Sequence, residues 1–504
     1  MTRGAIPDVV IAGGGAAACV LAARLSEDPA RRVVMLEAGP DYPDPETTPG
    51  MVRYGWGGPS IIDEPLDLDW AYLATASATS GEVAVPRGRL VGGSGSINGQ
   101  IFLRGLPEDI AGWVAVAGPV LDWPTMDAAY RALEVDRLFR VRRWAPDDWA
   151  ATQAAFVETC VAAGYGTADD HNAPDAMGAG ALPFNQDDRI RWSPPLAYLT
   201  AAVRARPNLD IRPHSVVRRV ETSGSRAVAV VVDGPDRTER MAAGEVIVAA
   251  GAIGSPHLLL LSGIGPADEL RALGIPPVVG LGGVGRNLRD HPKDWVEWRL
   301  RDEVLLDDGV PGLQTSARYS ATGSPNRGDM MLYPNSVIPG PEPGSRAFRI
   351  EVVDNLELSS GTVRLRSADP AVPPAIDLGF FRDPVDRQRL ADGIARTIEL
   401  GRTRPLADLL GERLLPGDAA LAGPAALSAW LDRTVMTGHH VSSTCRMGRS
   451  DDPDAVVDRA GRVHGVAGLR VVDASVMPDS VRANIHATVL ALAEVLATRI
   501  RAGD

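Results

Sequence analysis

Cysteine is nearly missing from this sequence: among 504 residues only Cys19, Cys160 and Cys445 occur, with no metal-like spacing. Neither a disulfide framework nor a zinc site is expected, and no other metal; a reducing compartment fits. Blocks of Lys and Arg are also lacking, and the net charge is −13. That balance argues against a nucleic-acid or anionic-membrane surface. No window approaches the roughly 18 uncharged apolar residues of a membrane span. The few residues ahead of the first strand leave no room for a signal peptide's apolar segment, so a cytoplasmic location is the expectation. Histidine is scarce, eight in all, so two adjacent ones at 439 and 440 invite a catalytic reading.

What is present begins at DVVIAGGGAAACVLAARL, Asp8 to Leu25. Val9 to Ile11 read as a strand, Gly13 to Gly15 as a turn, and Ala18, Leu21, Ala22 and Leu25 as one apolar helix face. Glycines let a pyrophosphate approach the backbone, and the free N–H groups of the helix start can hold its charge. A second parallel strand, VVMLEAG, ends at Glu37, which suits a ribose hydroxyl. Strand, turn, helix, strand and acid together spell a dinucleotide cradle. Taken alone, this motif leaves NAD(P) open beside FAD.

Farther along, Pro40 to Ser60 reads as a long surface loop, and Gly92, Gly93, Ser94 and Gly95 form a second backbone-rich loop flanked by Arg89 and Asn98. Helices are expected over Thr152 to Ala163 and Ala197 to Arg206, and paired strands over NLDIRPHSVVRRVE and RAVAVVVDG. GEVIVAAGAIGSPHLLLLSGIG repeats the opening logic and should join the same sheet. A second G-x-G-x-x-G at Gly280, Gly282 and Gly285 is a decoy, because GRNLRDHP opens no helix. From about Asp290 to Val435 the βα rhythm gives way to strand-like pieces and a helix with Asp383 as N-cap and Pro384 in its first turn. GLRVVDAS then gives a strand ending at Asp473, and RANIHATVLALAEVLATRI a final helix whose N-terminal dipole favours negative charge.

GGGAAACVLAARL, PRGRLVGGSGSINGQIFLRG, AAGAIGSPHLLLLSGIGP, VGRNLRDHP, STCRMG and VHGVAGLRVVDASVMP, in this order, resemble the glucose–methanol–choline oxidoreductase family. The resemblance implies an α/β fold (α+β overall), with a Rossmann-like FAD-binding domain (1–155, 205–290 and 436–504) and a substrate domain on an antiparallel sheet (156–204 and 291–435). It implies FAD held by Gly13, Gly15, Ala16, Ala17, Ala18, Glu37, Ala38, Arg89, Gly92, Gly93, Ser94, Asn98, Gly99, Val217, Ala250, Asp473, Ala474, Ala487 and Thr488. Ile97 stands where the choline-oxidising branch carries a flavin-linking His, so noncovalent FAD is expected.

By the same resemblance His440 matches the active-site histidine, and the second catalytic position falls nearest Asn484, with His486 a close second. The implied reaction is oxidation of an alcohol to an aldehyde or ketone. His440 takes the proton, hydride passes to flavin N5, and electrons go on to oxygen, a quinone or another carrier. A hydroxynitrile-lyase-like enzyme of the same family is the alternative, and a flavin carrier without catalysis would give His440 no role.

Overall fold

The computed structural model describes residues 6–55, 68–134, 138–306, 309 and 311–504. The chain is a mixed α/β molecule. Its first sheet has five parallel strands in the order Leu469–Val471, Glu245–Val248, Val9–Ala12, Val33–Leu36 and Leu209–Arg212. Val9–Ala12 and Val33–Leu36 are buried at every position, as strands covered on both faces must be. Helix Ala16–Leu25 packs on the second strand and against the last helix, His486–Ala502. The turn between strand and helix needs glycine: Gly13 has φ +108°, and a Cβ there would come within 2.5 Å of the Ala249 carbonyl oxygen.

A larger antiparallel sheet runs in the order Leu410–Leu415, Pro292–Leu300, Arg346–Asp354, Met330–Pro339, Thr315–Tyr319 and Gly178–Ala181. Met436–Thr437 also pairs with Pro292–Leu300, which places the start of the two-histidine turn on the edge of this sheet. Helix Pro384–Gly401 covers one face, and the Asp383 side chain caps it by accepting from the Val385 N–H, as expected from the Asp-Pro start.

GEVIVAAGAIGSPHLLLLSGIG forms strand Glu245–Val248 and helix Gly251–Leu261 beside the first strand, as the motif predicts. Three details differ from the sequence reading. NLDIR does not pair with RAVAVVVDG: Leu209–Arg212 joins the parallel sheet, Pro213 interrupts the run, and only Val216–Ser223 forms the hairpin with Arg226–Asp233. The helix expected over Ala197 to Arg206 is two short ones, Pro194–Tyr198 and Ala201–Arg204, because Pro194 and Pro195 start it early and Thr200 recaps the second piece. The loop Pro40 to Ser60 contains helix Gly50–Tyr54, and its last residues lie outside the described ones.

One buried ion pair ties the segment before the last helix to the rest of the fold. Asp109 accepts from Arg482 Nε at 2.6 Å, and also from the N–H groups of Arg482 and Leu106 at 3.0 and 2.8 Å. Both side chains are 5 % exposed or less. Removing one partner leaves an uncompensated buried charge, so Asp109→Ala should cost about 3–5 kcal/mol. Calorimetry should show a lowered melting temperature, and an unchanged one would contradict this role.

Candidate active site

The C-terminal ends of the parallel strands meet at one edge, where ligands bind in open α/β sheets. Gly13, Gly15 and Ala16 are partly open there, and Ala250 is exposed. Gly15, the N-cap of the first helix, offers the N–H groups of Ala16, Ala17 and Ala18 no side-chain cap. The Gly92–Gly93 loop lies directly against this turn: Gly15 and Gly92 form a backbone bridge, and a Cβ on Gly93 would come within 2.9 Å of Gly15 Cα. Two glycine loops far apart in sequence thus make one backbone-lined cradle.

Glu37 closes it. Its buried carboxylate accepts from the N–H of Gly14 at 2.7 Å and of Gly39 at 2.8 Å. Burial pushes its pKa up to about 7, against the pull of those two N–H groups and of Arg89. Ala38 follows it, partly open. Arg89 also stacks its guanidinium over Trp70. Ser94 Oγ accepts from the Gly88 N–H, and Asn98 Oδ1 accepts from Arg191, a fully buried guanidinium. Gly99 is exposed, and Val217 is half-buried at the start of the hairpin. Asp473 is anchored by the N–H groups of Gly251 and Ser475, both at 2.8 Å, and by two serine hydroxyls, with Ala474 beside it. Ala487 and Thr488 are buried in the first turn of the last helix, and Thr488 Oγ1 bonds Tyr130 Oη. Open backbone, uncapped N–H groups and a buried acid are the donor set a dinucleotide needs, so these residues fit FAD.

His440 sits on a turn that Asp290 pins. One Asp290 oxygen accepts from the His440 N–H at 2.8 Å, the other from Thr437 Oγ1, and the Gly438 N–H bonds the His291 carbonyl at 2.7 Å. Asp290 is buried, which raises its pKa to about 6. The ring of His440 has a neighbour at each nitrogen: Asn484 Nδ2 lies 2.8 Å from Nε2, and His291 Nδ1 lies 2.8 Å from Nδ1. Tyr333 Oη donates to Asn484 Oδ1 at 3.1 Å. Burial, then the nearby His291, His439, Lys293 and Arg87, holds His440 well below the ordinary imidazole range. Its ring is therefore neutral at pH 7. His439 is exposed and His440 half-buried.

The two candidates for the second catalytic position are thus placed differently. Asn484 touches His440. His486 instead lies edge-on to Phe102 and Phe139, beside Gly95, with its Nε2 unpartnered among the described residues and its pKa depressed by burial to about 4. Three further residues went unnoticed in the sequence: Asp290 and His291, in the stretch VGRNLRDHP, and Tyr333. The DHP run was visible, but nothing local tied it to a histidine nearly 150 residues away.

Known proteins resemble this chain over nearly its whole length. A family model described as GMC oxidoreductase matches residues 7–293, and a second with the same description matches residues 357–493. The chain is 34% identical to an oxygen-dependent choline dehydrogenase of Burkholderia thailandensis, over 98% of this chain and 93% of that protein. It is 33% identical to the mitochondrial choline dehydrogenase of Homo sapiens, over 98% of this chain and 89% of that one. Among solved structures it superposes on pyridoxine 4-oxidase from Mesorbium loti with a TM-score of 0.90, at 31% identity, covering 98% and 99% of the two chains.

If Asp290 holds the turn, Asp290→Ala strands the His440 N–H and the Thr437 hydroxyl, at about 1–3 kcal/mol of local stability. Amide exchange should then speed up across residues 436–446 and stay unchanged across 9–25. Equal exchange in both segments would contradict the role.

Proposed function

Because the chain belongs to the GMC oxidoreductase family of FAD-dependent enzymes, we propose that it oxidises an alcohol to an aldehyde or ketone with His440 as the base. The observation that carries this reading is the contact of His440 Nε2 with Asn484 at 2.8 Å. Tyr333 donates to Asn484 Oδ1, which leaves the amide nitrogen to donate to His440 Nε2. That nitrogen therefore holds a lone pair, and the ring's own proton lies on Nδ1, facing His291. A substrate hydroxyl that displaces the Asn484 N–H from Nε2 can lose its proton to that nitrogen, while the freed Asn484 Nδ2 donates to and steadies the alkoxide.

Bound in the cradle, FAD supplies the two-electron acceptor at N5, and oxygen, a quinone or another carrier reoxidises it. The protein's part is to hold the hydroxyl, keep the base neutral and place the cofactor on Glu37, the glycine loops and the start of the last helix. His486, Ala487 and Thr488 belong to that helix start, which favours negative charge. The substrate side falls to residues 156–204 and 291–435, and the FAD side to 1–155, 205–290 and 436–504. A cytoplasmic location suits the three buried, unpaired cysteines. Among the described residues no helix is long and apolar enough to cross a membrane.

Turnover across a panel of aryl, furanic, aliphatic and sugar-derived alcohols, scored by peroxide release and dye reduction, tests this reading. His440→Ala should lower turnover of the best alcohol by about 10²–10⁴-fold with flavin content unchanged. Wild-type turnover in that variant would exclude the role. Ile97 offers no nucleophile to the cofactor, so acid precipitation should leave the yellow colour in the supernatant. Colour in the pellet would show a covalent link.

A further inference from the structure

Of the 51 lysines and arginines in the chain, residue 293 is the only lysine. A sequence that meets every other need for a cation with arginine keeps one compact ammonium, and the fold puts it at the site. Lys293 lies two residues after His291, and its strand pairs Pro292 with Thr437 and Lys293 with Met436, on the approach to the His440 turn. Its charge reaches the rings of both His439 and His440.

The surrounding sheet face is laid out by register. Tyr333, Glu351 and Trp295 stand side by side on three neighbouring strands, and Met331, Val353 and Lys293 form the next row on the same face. Tyr333 contacts Asn484, so this face is the wall over the catalytic pair. The carboxylate and the indole on it that could receive an alkylammonium are already engaged. Glu351 Oε2 is bonded to Lys293 Nζ at 3.0 Å, with the two side chains 22% and 16% exposed. The Trp295 ring is covered by the Arg349 guanidinium, 4.4 Å from its centroid. The Tyr333 hydroxyl serves Asn484. Quaternary ammonium groups are recognised by open aromatic faces and free carboxylates, and on this sheet face the Glu351 carboxylate and the Trp295 ring are both already taken.

Taking the site as an alcohol-oxidising one, we infer that Lys293 is a specificity-determining residue that selects uncharged alcohols and rejects alcohols carrying an alkylammonium. Its ammonium repels a second cation and, by occupying Glu351, removes the carboxylate that would attract one.

The test compares choline with 3,3-dimethyl-1-butanol, which has the same shape and no charge. Each is titrated into the flavin-loaded protein as a competitor of the best alcohol, and separately through the absorbance change of the bound flavin. The wild type should bind the uncharged compound at least about ten-fold more tightly, since placing like charges together is costly. Lys293→Met, which frees Glu351, should tighten choline by at least about ten-fold while moving the uncharged analogue less than about three-fold. Lys293→Arg should keep the wild-type preference, separating charge from packing. Tighter choline binding by the wild type, or an unchanged ratio in Lys293→Met, would overturn the inference. If Lys293→Met does not fold, the wild-type ratio alone decides. A protein that shows the preference but oxidises no alcohol would refute the proposed function and leave this inference standing.

Discussion

The site depends on the chain's late return to its first sheet. Leu469–Val471 pairs in parallel with Glu245–Val248, and the Asp473 carboxylate beyond it locks onto the N–H of Gly251 and the hydroxyl of Ser255. This joins a segment more than four hundred residues from the glycine turn to the strand beside that turn. The Ser443 N–H bonds the Ala474 carbonyl, so the turn bearing His440 is held to the same segment. Arg482, two residues before Asn484, is clamped to Asp109. The glycine cradle and the segments bearing His440 and Asn484 are thus tied together by one backbone pairing and two buried carboxylates, Asp473 and Asp109. Each carboxylate is fully occupied by donors, which is what makes its burial tolerable.

The antiparallel sheet supplies the other half. Its strand Pro292–Leu300 follows His291 directly and pairs with Met436–Thr437, so the two histidines that meet at 2.8 Å are brought together by strand register and by Asp290, not by local sequence. Beyond Arg346–Asp354, the strand Met330–Pro339 then carries Tyr333 to Asn484. His440 therefore sits at the junction of a parallel sheet that presents backbone N–H groups and an antiparallel sheet that presents side chains. The first suits an anionic cofactor and the second a variable substrate.

The parts of this arrangement that are local were legible in the sequence. Val9 to Leu25 and Gly244 to Gly265 show strand, turn and helix through composition and period, and Asp383 announces its helix. His440 was reachable through the motif that surrounds it. Helical period alone could not choose between Asn484 and His486, because it does not say which residue ahead of the first turn faces inward. His291, Tyr333, Glu351 and the placement of Lys293 were hidden for a different reason. Their meaning lies in strand registers linking residues far apart in the chain, and a one-residue slip would turn each of them to the opposite face. Pro213 shows the same limit on a smaller scale, dividing one alternating run between two sheets.

The central claim is that His440 and Asn484 act on an alcohol whose carbinol C–H breaks as electrons leave for the flavin. It is tested most directly by mixing the flavin-loaded protein with its best alcohol in the absence of oxygen, and with the same alcohol deuterated at the carbinol carbon. The account predicts that the bound flavin bleaches, and more slowly with the deuterated alcohol. Product formation while the flavin stays oxidised, or no bleaching by any alcohol, would contradict it.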